Sequence, residues 1–133
     1  MKKGYKNNIE RLTIDNDNFR QVLYTAKNCQ LVIMSLKPGE EIGLEVHQGN
    51  DQFFRFERGK GKVIIDGNEY EVSEGDAVIV PQGAEHNVIN TSSDQPLKLY
   101  TIYAPPHHQD AVLRKTKEDA QVDSPEFDGT TTE

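Results

Sequence analysis

The chain has 133 residues, an ordinary hydrophobic fraction of 35% and a formal net charge of −7. This length fits a single domain and is enough to bury one sizeable core. No run of about 18 apolar residues occurs, so the hydropathy pattern excludes a membrane-spanning helix. The acidity excludes the basic footprint that nucleic-acid binding requires. No nucleic acid and no membrane is therefore expected as a partner.

The two ends of the chain are polar. Residues 1–18 are predicted to form an irregular lead-in, and their basic start is followed by no apolar stretch, which predicts a cytoplasmic protein without a signal peptide. Residues 117–133 carry one positive and six negative side chains. Residues 107–133 are predicted to form an arm with a short helix near 111–119 and a disordered acidic tail. The single cysteine, Cys29, allows no intrachain disulfide and is interpreted as a small buried residue.

Residues 19–106 consist of short apolar or alternating segments separated by turn residues. The clearest hairpin signal is Asp66-Gly67, which lies between two apolar segments. Because no helical periodicity of comparable length occurs, this pattern predicts an all-β domain, an antiparallel barrel or sandwich. The glycines between the segments are interpreted as turn residues. The predicted strands are Arg20–Thr25, Gln30–Leu36, Gln52–Arg58, Lys62–Ile65, Glu69–Val72, Ala77–Val80, His86–Asn90 and Leu97–Tyr103.

Four polar side chains from separate segments are candidates for one metal site. Glu45 and His47 are two residues apart, so on an extended segment they face the same way. Their donor atoms can reach one ion at about 2.0–2.2 Å. Gln52 opens the next strand, and His86 arrives from a distant one.

The spacing of these residues resembles that of the cupin family. Gly75, Pro81, Gly83, His86 and Asn90 match the second cupin motif, G-x5-P-x-G-x2-H-x3-N, at every fixed position. The first motif, G-x5-H-x-H-x3–4-E-x6-G, is matched by His47 and Gly59 in the correct spacing. Glu45 stands where its first histidine usually is, Gln52 stands where its glutamate usually is, and the opening glycine lacks the usual spacing.

This resemblance implies a single jelly-roll-like β-barrel that holds one divalent metal in its mouth. The implied ligands are Glu45, His47, Gln52 and His86, and the substitutions preserve four donors and one negative charge. Oxygen donors beside two imidazoles favour Mn, Fe(II) or Zn. Glu45 and Gln52 are also the candidate catalytic residues, with Gln52 either a direct ligand or a group that orients a water.

The neighbouring aromatic residues are candidates for the substrate pocket and for an interface. If Gln52 points inward, Phe54 and Phe56 do so as well, whereas Phe53 faces outward. An outward apolar side chain suggests packing against a second copy, and many cupins are dimers, so a homodimer is expected. Tyr100 and Tyr103 on the last strand are candidates to offer a hydroxyl to the pocket. The tandem His107-His108 is interpreted as part of an exposed loop.

Three functions remain open from the sequence. The first is a metal-dependent enzyme without net redox change, an isomerase, epimerase or lyase acting on a small sugar-like or keto-acid substrate. The second is an Fe(II)-dependent dioxygenase, because Glu45, His47 and His86 resemble a 2-His-1-carboxylate set. The third is a non-catalytic module that binds a small ligand or a metal.

Overall fold

Ten strands and two short helices make up the computed structural model, which describes all residues 1–133. The order along the chain is α1 (Ile9–Asp15), β1 (Arg20–Thr25), β2 (Gln30–Leu36), β3 (Glu45–Val46), β4 (Asp51–Arg58), β5 (Lys60–Ile65), β6 (Asn68–Ser73), β7 (Ala77–Val80), β8 (Glu85–Asn90), β9 (Leu97–Ala104), β10 (Leu113–Arg114) and α2 (Lys117–Val122). Neither helix has the length and hydrophobicity that crossing a membrane requires.

The strands form two antiparallel sheets that face each other. The larger sheet has the order β10-β1-β2-β9-β4-β7, and the smaller has the order β3-β8-β5-β6. Neighbours in a sheet come from distant parts of the chain, as in the pairing of β4 with β9. This architecture confirms the predicted all-β antiparallel fold.

Alternating side chains on the strands build the core between the sheets. On β4 the side chains of Gln52, Phe54 and Phe56 are buried at 3% exposure or less, as the alternation predicted. The rings of Phe54 and Phe56 stack with their centroids 6.4 Å apart. The opposing side chains of the smaller sheet are aliphatic, with Val63 and Val88 fully buried. The apolar interior therefore occupies the middle of the barrel and leaves the polar side chains at one end.

All eight predicted strands are present, with ends that shift by no more than two residues. The Asp66-Gly67 turn joins β5 to β6, and both residues have positive φ, 46° and 82°. Successive positive φ values suit the right-handed twist of a two-residue hairpin. The sequence did not predict β3 and β10, because two-residue strands have no periodicity of their own.

The lead-in contains a helix that the sequence analysis missed. Asn8 caps α1, since its side chain accepts a hydrogen bond from the backbone N–H of Arg11 at 3.0 Å. The helix contacts β2, β4 and β9 on the outer face of the larger sheet. At its end Lys98 from β9 donates to the backbone oxygen of Asn16 and to Asp17 Oδ1, the latter at 2.9 Å.

The acidic tail is not confirmed as disordered. Strand β10 pairs with β1, and the side chains of Val112 and Ala120 belong to the hydrophobic core with 7% exposure each. Thr116 caps α2 by accepting a hydrogen bond from the N–H of Asp119 at 3.1 Å. Apolar side chains spaced between the acidic ones therefore hold the tail against the barrel. Cys29, in contrast, is exposed, which contradicts the prediction that it is buried.

Gly61 is not a turn residue, although it was interpreted as one. It lies within β5, where an added Cβ would lie 2.6 Å from the backbone oxygen of Ile89 and 2.8 Å from Leu97 Cδ2. Glycine is therefore required there by close packing between neighbouring segments.

Replacing Gly61 by alanine is expected to lower the free energy of unfolding by about 1–3 kcal/mol, because overpacking forces the backbone to shift. Urea denaturation of the metal-free protein measures the change. Gly49→Ala is the matched control, because its added Cβ would meet no atom within 4 Å and its backbone φ is not positive. Equal stability of the two variants would show that the contact with Ile89 does not restrict this position.

Candidate metal centre

Strand β3 brings Glu45 and His47 to the end of the barrel. Glu45 pairs with His86 across β3 and β8, so these two residues are direct neighbours in the smaller sheet. His47 follows β3 and is held by a hydrogen bond from the N–H of Gly83 to its backbone oxygen, 3.0 Å long. The loop that carries the second motif therefore positions a residue of the first.

The orientation of His86 is fixed by its own backbone. Its Nδ1 lies 3.1 Å from the carbonyl oxygen of Ala84, which accepts a hydrogen bond from this nitrogen. That bond leaves Nε2 as the ring nitrogen with a free lone pair. A backbone carbonyl on the far nitrogen is a common way to hold a metal-ligating histidine.

The donor atoms of Glu45, His47 and His86 converge. One ligand atom from each lies within 4.8 Å of the others. His47 Nε2 is 2.8 Å from Glu45 Oε2, yet it is buried and has no partner with the geometry of a hydrogen bond. Burial raises the pKa of Glu45, but His47 and the charges of Arg20 and His86 outweigh that effect and lower it overall. Glu45 is therefore ionised at neutral pH.

Gln52 contributes a fourth polar atom from β4. Its Nε2 donates to Thr101 Oγ1 at 3.0 Å, which fixes the direction of the amide. The other atom of the amide, Oε1, is buried without a hydrogen-bond partner. A buried polar atom without a partner is costly, so a ligand at this position is expected.

The residues present fit a divalent metal. Three convergent donors are two imidazoles and one carboxylate, and both His47 Nε2 and Gln52 Oε1 lack a protein partner. Such a mixed nitrogen and oxygen set suits Mn, Fe(II) or Zn better than a soft metal. Burial lowers the pKa of His86, which keeps the imidazole neutral as a ligand must be.

The C-terminal arm covers this end of the barrel and brings two more histidines to it. The ring of His107 lies 4.3 Å from that of His47, centroid to centroid, and His108 is only 4% exposed. The exposed loop predicted for this tandem is therefore wrong. The side chain of Gln30 explains the position, because its Oε1 accepts from the N–H groups of His107 and His108, at 3.2 and 2.9 Å.

A hydrogen bond joins the arm to the last long strand. His108 Nε2 and the Tyr103 hydroxyl lie 3.2 Å apart. Burial, together with the charges of Arg20 and His107, lowers the pKa of His108 to about 2. Burial also raises the pKa of Tyr103. Both groups are neutral around pH 7, and neither was identified as a partner of the other from the sequence.

The four residues predicted to bind substrate differ in their position relative to the candidate metal centre. Tyr103 is buried beside the histidines, with its ring 5.7 Å from that of His47. Phe54 lies beneath the site, 6.4 Å from the His86 ring, whereas Phe56 is fully buried in the core beyond it. Tyr100 faces outward and packs against Phe53 at 6.2 Å, which contradicts its predicted place in the pocket. Tyr100 and Tyr103 are three positions apart on β9, and an odd separation places two side chains on opposite faces of a strand.

The sequence analysis also missed Arg20, which lies at the mouth with 6% exposure. It stands two residues before the buried Val22, so the alternation of β1 predicts the same inward direction for both. The sequence indicates such a residue by a charged side chain at a strand position that faces inward, where an unpaired charge is costly.

The fold and the site define a cupin. A family model described as Cupin domain matches residues 32–103, more than half of the chain. The protein therefore belongs to the cupin family, and the resemblance of its motifs to that family is confirmed.

Two known proteins are similar to this chain over most of its length. The chain is 45% identical over 124 residues to the uncharacterized protein YrkC from Bacillus subtilis (strain 168), covering 89% of this chain. It spans 66% of the length of that relative. The crystal structure of BH2720 from Bacillus halodurans is 40% identical, covers 91% of this chain and 96% of its own, and has a TM-score of 0.88.

A more distant structure shares the fold alone. It is that of a predicted oxalate decarboxylase (tm1287) from Thermotoga maritima, with 24% identity and a TM-score of 0.56. The match covers 59% of this chain and 68% of the other.

The buried imidazole of His108 is expected to make the fold sensitive to acid. In the unfolded chain this group binds a proton near its ordinary pKa of about 6.5, whereas in the folded protein it does so only near pH 2. Stability is therefore lost as the pH falls below 6.5, by about 2 kcal/mol down to pH 5 from this residue alone.

Urea unfolding of the metal-free protein at about pH 7.5 and pH 5 measures this loss. His108→Gln cannot take up the proton, so its stability is expected to fall less between the two pH values than that of the wild type. The same decrease in both proteins would contradict the burial of a neutral imidazole at this position.

Proposed function

We propose that this cupin binds one divalent metal through Glu45, His47 and His86, with Gln52 as a fourth donor or as the group that orients a water. We further propose that it is a non-redox enzyme, of the isomerase, epimerase or lyase type, acting on a small sugar-like or keto-acid substrate. The convergence of three donor atoms within 4.8 Å carries the proposal. Two buried atoms without a hydrogen-bond partner support it, namely His47 Nε2 within this donor set and Gln52 Oε1 beside it.

The chain's own residues have distinct roles in this chemistry. When bound, a divalent ion would supply Lewis acidity toward a carbonyl or hydroxyl oxygen. Glu45 is ionised, 30% exposed and borders a cavity, so its carboxylate can accept a proton from a bound molecule. Gln52 Oε1 can accept a hydrogen bond from a substrate hydroxyl or a water. The arm with His107 and His108 limits the access of bulk water.

Removal of any one of the three convergent donors is expected to weaken metal binding by more than about tenfold. The variants are Glu45→Ala, His47→Ala and His86→Ala, and metal content is measured by mass spectrometry after purification without a histidine tag. Glu85→Ala is the matched control, because this neighbouring side chain is exposed. Full occupancy in the Glu45 and His86 variants would contradict the assigned ligands.

The 2-His-1-carboxylate composition of the site supports an Fe(II)-dependent dioxygenase as a second candidate. Such a set leaves coordination positions open for oxygen and for substrate. The two candidates differ in the metal that supports turnover and in their need for oxygen.

A panel of keto acids, uronates and thiols distinguishes these candidates. We expect the Mn- or Zn-loaded protein to convert at least one member without oxygen uptake, measured with an oxygen electrode alongside product analysis by NMR. His86→Ala loaded in the same way serves as the control. Oxygen uptake that requires both Fe(II) and an organic substrate, and that is lost in this control, would support the dioxygenase instead.

A further inference from the structure

Arg20 is a charged residue placed inside the barrel mouth. It opens β1 and is 6% exposed, on the same face of the strand as the core residue Val22. Its guanidinium carbon lies 5.2 Å above the centroid of the Phe19 ring. Strand pairing with both β2 and β10 holds its backbone in place. The side chain is therefore positioned by rigid elements.

No protein group forms an ion pair or a hydrogen bond with this guanidinium, although the Glu45 carboxylate lies near it in the same cavity. The ion pairs of the protein involve Arg55 and Arg114 but not Arg20. Its Nε is buried without a hydrogen-bond partner. The terminal nitrogens also make no hydrogen bond but are not enclosed, so they remain accessible. A guanidinium carries five N–H donors and stays charged, so leaving it buried and unpaired is strongly unfavourable.

The accessible side of Arg20 opens into a cavity that it shares with Glu45. The cavity has a volume of about 130 Å³ and is bounded on its outer side by α2 and the segment that follows. Its lining residues are Phe19, Arg20, Ile42, Glu45, Lys117, Ala120, Gln121 and Ser124. The space equals roughly four water molecules of liquid volume, which suits an organic acid of a few non-hydrogen atoms.

We propose that Arg20 binds the carboxylate of a small organic acid whose other end lies beside Glu45 at the metal centre. This proposal deepens the proposed function and rests on it, because it names a keto acid rather than a neutral sugar as the substrate class. A planar guanidinium binds a carboxylate through two parallel hydrogen bonds, and the pair compensates the buried charge. Lys117 at the rim adds a second positive charge.

The charges around the cavity favour a carboxylate over a phosphate. The Glu45 carboxylate borders the same space, so a dianion would meet more repulsion there than a monoanion. The small volume of the cavity also favours a small monocarboxylate over a phosphate. Inorganic phosphate is therefore expected to bind more weakly than a monocarboxylate.

Calorimetric titration with pyruvate and with its uncharged analogue pyruvamide tests the proposal. The proteins are Mn-loaded wild type, Arg20→Met and Arg20→Lys, and the matched control is Arg58→Met, which removes an exposed arginine from β4. We expect Arg20→Met to bind pyruvate at least about tenfold more weakly than wild type. Pyruvamide affinity is expected to change less than about twofold, and Arg20→Lys to be intermediate in pyruvate binding.

Three results would overturn the proposal. One is equal pyruvate affinity in wild type and Arg20→Met, and another is an equal loss for pyruvate and pyruvamide. The third is the absence of pyruvate binding to the Mn-loaded wild type at about 10 mM. Tighter binding of inorganic phosphate than of pyruvate, dependent on Arg20, would overturn the assignment to a carboxylate.

The same titrations on metal-free protein separate this proposal from the metal site. Pyruvate binding that depends on Arg20 without any metal would support the anion site even if the metal assignment failed. If Arg20→Met binds metal fully and its affinity for pyruvate is unchanged, the assignment of the metal site stands and the proposal of the anion site is overturned.

The thermal stability of Arg20→Met gives an independent measurement. Removing an unpaired buried charge in favour of an apolar side chain is expected to raise the Tm of the ligand-free protein by at least about 3 °C. A lowered Tm would show that Arg20 is a structural residue with protein partners, and would overturn the proposal.

Discussion

The attachment of the C-terminal arm through Gln30 is the interaction on which the site depends. Gln30 is fully buried, and its amide bonds to the main chain of His107 and His108 on both its oxygen and its nitrogen sides. The same nitrogen donates to Thr25 Oγ1 at 2.9 Å, so β1, β2 and the arm meet at one side chain. An uncovered barrel mouth would admit water, and the buried charges and imidazoles would lose their low-dielectric surroundings.

Burial and neighbouring charges together set the protonation of the site before any ion arrives. The lowered pKa values of His86 and His107 leave both imidazoles neutral at pH 7, while that of Glu45 leaves its carboxylate charged. Metal ligands must be deprotonated to bind, so Glu45 and His86 need not release protons first. Glu45 lies opposite His86 across a strand pair, and regular elements position side chains more precisely than loops do.

Much of the barrel and most of the donor set could be predicted because both are encoded locally. Alternation along β4 gave the inward direction of Gln52, and the spacing around His86 identified the second motif. The arm could not be predicted, since the burial of His108 depends on Gln30, 78 residues earlier in the chain. Helix α1 was missed because its seven residues offer little periodicity. The same alternation that placed Phe54 also predicts an inward direction for Arg20, but the sequence analysis did not apply it to β1.

The arm contributes side chains to the hydrophobic core, so the folded unit includes more of the chain than the cupin motifs. Of the 17 side chains in the hydrophobic cluster, Phe19, Val22, Val112 and Ala120 lie outside the range 32–103 that the cupin family model matches. A fragment cut to that range would lose β1, β10 and the cap over the mouth, and it would expose apolar surface on β2 to neighbouring molecules. The hydrophobic core of this chain therefore draws on residues that lie beyond its recognisable motifs on both sides.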